Sequence, residues 1–231
     1  MLLNTFELRN YLIKPAMRDH FIDYFEEHFI FSQQAVNMHV LGQFRVIGAP
    51  DRYVWLRGFA DMATRLAGLH GFYDGPVWQK YRDRANEIIV DSDHVHLLRP
   101  LGSTPDLTCG RTPDTVAAEL AAGTISPNTG VLAVDFYQTD PARIDSASAQ
   151  LVESYRAAGI QVRSALAAEL SENDFPRLPV IQNLGEFVII TAYASEALYH
   201  QQVAPPIDAA VLSKPHDALL LAPTLRSPLR W

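Results

Sequence analysis

The sequence predicts an α+β fold in which two ferredoxin-like βαββαβ repeats in one chain close a shared barrel-like core. Three observations carry this. Between Thr5 and Arg99, strand-like and helix-like patterns follow one another in the order β-α-β-β-α-β. The same order returns between Gly130 and Ala222, after a connector rich in Thr, Pro, Gly and Ser. Finally, a four-stranded sheet covered by helices on one side leaves its other face bare, and two linked units can cover each other. The expected organisation is a first repeat over residues 1–101, a connector over 102–129 and a second, diverged repeat over 130–231.

The first strand is read at Thr5 to Tyr11. Lys14-Pro15 opens a helix from about Ala16 to Gln34, with Met17, Phe21, Phe25 and Phe29 as its buried stripe. Strands follow at Val40–Val46 and Tyr53–Phe59, joined by the turn residues "GAPDR". Asp61 to Leu69 is helical, and "HGFYDGP" is expected to break it. A helix from Val77 to about Ile89 and a strand from His94 to Arg99 complete the unit. In the connector, Thr112 caps a short helix over Pro113–Ala122.

The second unit starts with a strand over Gly130–Gln138. Asp140 and Pro141 open a helix that Gly159 ends. Strands are read at Gln161–Ala168 and Glu186–Tyr193, a helix from about Ser195, and a last strand over Ala218–Ala222. "LLRP" at Leu97 is echoed by "LLAP" at Leu220, and Glu7 aligns with Asp135. The matching order of elements is the stronger sign of a repeat.

The 231 residues are 48% hydrophobic and 19% charged, a globular balance. A net charge of −7 speaks against nucleic acid as a partner and against docking on anionic membranes. The single cysteine, Cys109, permits no internal disulfide and points to a reducing, cytoplasmic setting. "MLLNTFELRN" lacks the basic-then-apolar pattern of a signal peptide. The longest apolar run, Phe187 to Ala192, is strand-sized, whereas a membrane helix needs about 20 residues, so no membrane insertion is expected.

"FELRNYLIKP", "FIDYFEEH", "LGQFRV", "VWLRGFADMATR", "WQKYRDRANEII" and "HLLRPL" together resemble the NIPSNAP family over Phe6 to Leu101. The resemblance rests on the "ELR-Y" strand, the "WLRGF" strand leading into a helix, and the tryptophan opening the next helix. The second half lacks "ELR-Y" and "WLR". The resemblance implies the dimeric α+β barrel fold, often in tandem within one chain. It also implies kinship with a superfamily that includes cofactor-independent antibiotic-type monooxygenases, quinol-type monooxygenases and haem-degrading oxygenases. The haem-degrading relatives use an asparagine on the first strand with a tryptophan and a histidine in the helical layer. Asn10 and Trp78 match two of these, but no histidine follows Trp78 on its helix. No cofactor is therefore expected.

Strand alternation places Glu7, Arg9 and Tyr11 on one face, Gln43 and Arg45 on another, and Tyr53, Trp55, Arg57 and Phe59 on a third. If these faces coincide, arginines and aromatics surround Glu7 and suit an anionic or planar aromatic ligand. The bland alternative is a cross-strand charge pair with no ligand. Trp55 and Trp78 either wall a pocket or fill a core. His70, at a helix end, suits a general base or a helix cap. His94 and His96 share a strand face without an evident third ligand, so no metal is expected. The sequence holds no G-x-G-x-x-G, Walker loop, G-x-S-x-G or H-E-x-x-H.

The expected function is binding of a small aromatic or anionic molecule in a barrel cavity. In a cofactor-independent monooxygenase of this kind, Glu7 or His70 would be the catalytic base. Arg9, Arg45 and Arg57 would hold the anion, and Tyr11 and Trp55 would stack on the ring. Any site is expected to favour the first half, whose strands carry more charge. The rival is a non-enzymatic interaction protein with a solid barrel and an acidic helix face of Asp19, Asp23, Glu26 and Glu27. A polar-lined cavity above roughly 300 Å³ separates the two readings. Homodimerisation is left open.

Overall fold

The computed structural model describes residues 2–102, 107–126, 129–202 and 214–231. β1 (Thr5–Ile13) leads into α1 (Arg18–His28) and α2 (Ile30–Gln34). The single helix read from Ala16 to Gln34 is thus two helices broken at Phe29, and Met17 is the N-cap of the first. Phe21, Ile22 and Phe25 of α1 face the sheet. β2 (His39–Val46) and β3 (Arg52–Phe59) form the hairpin, with Gly48 at φ 81° in its turn. That positive φ suits a residue without a Cβ.

α3 spans Met62–Tyr73 and is capped by the Asp61 carboxylate, which accepts from the Thr64 N–H at 2.7 Å. The expected break at His70 does not occur. Gly71 costs a helix about 1 kcal/mol, and burial of Leu69 and Phe72 on either side offsets that. The helix stops at Asp74-Gly75. α4 (Pro76–Ile88) then passes directly into β4 (Ile89–Asp91), which pairs with the end of β1. β4 is three residues long, too short for alternation to reveal it. β5 (Val95–Pro100) and α5 (Pro113–Ala121) follow. Thr112 caps α5 as read, in a reciprocal box with Thr115.

The second half runs β6 (Val131–Gln138), a 3₁₀ turn at Pro141–Arg143, α6 (Ile144–Ala157), β7 (Gln161–Ala168), β8 (Glu186–Tyr193), α7 (Glu196–Gln201) and β9 (Asp217–Pro223). Asp140 opens the 3₁₀ turn by accepting from the Ala142 N–H. Among the described residues, eight strands close a barrel in the order β1-β3-β2-β9-β6-β8-β7-β5, β5 returning to β1. β4 lies outside this ring. Two antiparallel seams join the halves. Phe44, Arg45 and Val46 of β2 pair with Pro223, Ala222 and Leu221 of β9. Leu98, Arg99 and Pro100 of β5 pair with Ala168, Ala167 and Leu166 of β7. The bare faces thus become one interior, and backbone hydrogen bonds as well as packing close it.

Alternation sends one set of side chains inward and the other beneath the helices. Phe6, Leu8, Leu56, Val134, Leu166 and Ile190 belong to the packed interior. Tyr11, Tyr53 and Trp55 lie outside the barrel, with Phe21, Phe25 and Phe72 of the helices over them. With both faces covered, β1 and β8 are buried along almost their whole length. Among the described residues, no helix is long and apolar enough to cross a membrane.

Leu166 is fully buried on the interior face beside the β5–β7 seam. Leu166→Ala is expected to cost about 2–5 kcal/mol, read as a lowered urea midpoint with an unchanged slope.

Candidate functional site

β1 and β3 pair with Glu7 opposite Arg57 and Arg9 opposite Trp55. This register sets a carboxylate among guanidiniums on the helix-covered face. Glu7 is fully buried. Arg57 donates to its Oε2 from Nε at 2.9 Å and from Nη2 at 2.6 Å. Arg9 Nη1 reaches the same oxygen at 2.6 Å. Arg65 Nε donates to Oε1 at 2.7 Å. Burial alone would raise the Glu7 pKa, but Arg57, Arg9 and Arg65 together hold it far below the usual carboxylate range. Such a group does not collect protons, so its environment is that of an anchor and not of a base.

The network extends outward. Arg57 Nη1 donates to Gln33 of α2 at 3.0 Å. Arg65 Nη1 donates to Asp174 at 2.7 Å, on the segment between β7 and β8. A salt bridge therefore joins the first half's helical layer to a loop of the second. Arg9 Nε donates to the Tyr11 hydroxyl at 3.0 Å. The Arg9 guanidinium lies 5.5 Å from the ring centroids of both Tyr11 and Trp55, and Arg57 lies 5.1 Å from that of Trp55. These are cation–π distances. Three guanidiniums meet one carboxylate, with Asp174 at the rim, so the cluster carries a net positive charge.

Above Tyr11 and Trp55 lies a small cavity of about 30 Å³, walled also by Phe25, Gln33, Tyr73 and Trp78. That is room for one or two water-sized molecules. Tyr73 and Trp78 are only half-buried and form its outer wall. The barrel interior holds packed side chains, and this smaller cavity lies between the sheet and the helices. A larger cleft of about 460 Å³ borders the barrel interior at Phe6, Leu41 and Leu107 and is lined also by Leu3, Val40 and Arg111.

Glu7, Arg9, Tyr11, Trp55 and Arg57 thus come together. Arg45 does not join them: it is part-exposed and pairs with Asp19 of α1 at 2.8 Å. His70 also lies apart, because α3 turns it outward. Its Nδ1 sits 2.9 Å from Asp74 at the helix end, and its ring packs on Phe175. The acidic face of α1 is narrower than expected, since Glu26 is buried and accepts from Thr224 Oγ1. Trp55 is a core aromatic that floors the cavity, and the half-buried Trp78 forms its outer wall. Asn10 lies on the barrel-interior side of β1 and Trp78 in the helical layer, so the sheet separates the two residues that match the haem-degrading pattern. His96 Nδ1 is engaged by Glu186 at 2.7 Å.

Arg65, Gln33 and Asp174 escaped the sequence reading. Arg65 did leave a signal. It lies at spacings of four and seven from Leu69 and Phe72, the apolar stripe of α3, and a charge on such a stripe calls for a buried partner. Asp174 lies in a segment without periodicity and left none.

The single closed barrel with helices outside defines a protein of the dimeric α+β barrel class. Residues 6–105 match the NIPSNAP family model. A candidate monooxygenase from Fusobacterium nucleatum subsp. nucleatum ATCC 25586 superposes with a TM-score of 0.61 at 5% identity, covering 96% of this chain and 93% of that one. A candidate monooxygenase from Lactobacillus acidophilus NCFM gives 0.58 at 12% identity, covering 96% and 94%. At these identities the likeness is one of fold. A NIPSNAP-like domain protein from Burkholderia xenovorans is 26% identical over 46% of this chain and 91% of its own, with a TM-score of 0.41. Comparison with curated proteins finds no match.

Glu7→Gln leaves three buried guanidiniums without their shared anion and is expected to cost about 3–5 kcal/mol at neutral pH. The folded Glu7 pKa lies below the unfolded one, so its contribution is complete above about pH 5 and is lost as pH falls through the usual carboxylate range toward the folded value. The stability gap between wild type and Glu7→Gln, measured by denaturant unfolding, is therefore expected to narrow between pH 6 and pH 3.

Proposed function

We propose that this chain binds a small, flat organic anion in the aromatic layer between the sheet and the helices of its NIPSNAP domain. The observation that carries the reading is the Arg9 guanidinium, which lies at cation–π distance from the two rings, Tyr11 and Trp55, that floor the cavity. The cationic excess of the Glu7 cluster favours an anionic head group over a neutral one. A ring-sized ligand enters by swinging the half-buried Trp78 or Tyr73 outward. Tyr11 and Trp55 then offer faces for stacking, and Arg9 offers the charge. The chain reads as a tandem form of the fold acting inside a reducing cell compartment.

Binding is better supported than oxygenase chemistry. A cofactor-free oxygenase needs a base beside its substrate. Glu7 is spent on three arginines, and His70 faces outward from α3 beside Asp74. The alternative of a non-catalytic interaction protein draws on the packed barrel interior and the modest cavity.

The test is calorimetry with benzoate and its neutral counterpart benzamide. Benzoate is expected to bind at least about ten-fold more tightly than benzamide. Trp78→Ala, which opens the outer wall, is expected to tighten both. Arg9→Met is expected to weaken benzoate alone. No binding of benzoate to either the wild type or Trp78→Ala would reject the assignment.

A further inference from the structure

Asp135 occupies in β6 the place that Glu7 occupies in β1, but its surroundings are inverted. Where Glu7 faces Arg57 across the β1–β3 pair, Asp135 faces Ile189 across the β6–β8 pair. Where Arg9 follows Glu7 on the same face, Tyr137 follows Asp135. Asp135 is 9% exposed, and among the described residues no arginine, lysine or histidine pairs with it. Among the described residues its side chain accepts one hydrogen bond, from the Tyr155 hydroxyl of α6, 2.8 Å from Oδ2. Tyr155 in turn meets the Tyr137 hydroxyl at 2.8 Å. Oδ1 has no hydrogen-bond partner among the described residues. Tyr193 of β8 and Tyr199 of α7 close the group, their ring centroids 5.1 Å apart, and the Asp135 charge acts on both.

We propose that this is a binding site for a small organic cation, with a primary or methylated ammonium group on Asp135 Oδ1 and the tyrosine rings around it. A buried carboxylate without a counter-charge is costly to a fold. Aromatic rings near such a carboxylate favour cations over anions. Together they make the complement of an alkylammonium, which offers one or more N–H donors and a weakly hydrated apolar shell. Burial pushes the Asp135 carboxyl above its usual range, with the Tyr155 hydrogen bond opposing it. The half-buried Tyr199 forms the rim of the site. The two halves of the chain would then hold ligands of opposite charge on equivalent faces. This assignment is independent of the anion site in the first half.

Calorimetry and thermal unfolding of the full chain test it, using methylammonium and tetramethylammonium chloride against sodium chloride at matched ionic strength and neutral pH. At least one of the two cations is expected to bind with a stoichiometry of one and to raise the unfolding midpoint in proportion to its concentration. The near-isosteric Asp135→Asn is expected to abolish both effects. Tyr199→Ala, at the rim, is expected to weaken binding about five-fold. Absence of any shift specific to ammonium in the wild type overturns the proposal, as does an equal shift in Asp135→Asn. If Asp135→Asn does not fold, unchanged affinity in Tyr199→Ala overturns it instead.

Discussion

One buried carboxylate organises the first half of the molecule. Glu7 is the common acceptor for Arg9 on its own strand, Arg57 on β3 and Arg65 on α3. Removing any one arginine leaves the carboxylate held. Removing the carboxylate leaves three like charges within a few ångströms of each other in a medium where repulsion is poorly screened. Through these bonds the one anion ties β1 to β3 and to α3. Asp174 carries the same constraint across to the second half, because Arg65 divides its donors between the two acids.

Much of this architecture was legible in the residues. Every strand of the barrel ring, from Thr5 to the last one at β9, shows alternation or a buried run bounded by turn residues, and its ends move by at most two residues. Where the reading slipped, local signals competed with packing. The break at Phe29 falls inside an unbroken apolar stripe, so periodicity hides it. The continuation of α3 through His70-Gly71 is decided by the burial of Leu69 and Phe72, which outweighs the local preference of glycine.

The site was legible only in two dimensions. Alternation grouped Glu7 with Arg9 and Trp55 with Arg57, and strand pairing then brought the groups together. Arg45 follows the same alternation yet lies near the end of β2, where Asp19 takes it. Alternation reports the face of a sheet and not the position along it. Three-dimensional members such as Gln33 and Asp174 reach the cluster from a helix and a loop, whose direction no strand pattern specifies. The second half looked bland because its acid, Asp135, has no charged companion in sequence. The lack of that companion is what distinguishes it in space.

The seams between β2 and β9 and between β5 and β7 have a further consequence for how such a molecule is inherited and handled. A closed ring of strands offers no free rim for a stray chain to pair with, so the intact protein is shielded from edge-on aggregation. Severed in the connector, each fragment would display two raw margins and a greasy concave wall. Left bare in this way, either part of this chain would invite self-adhesion.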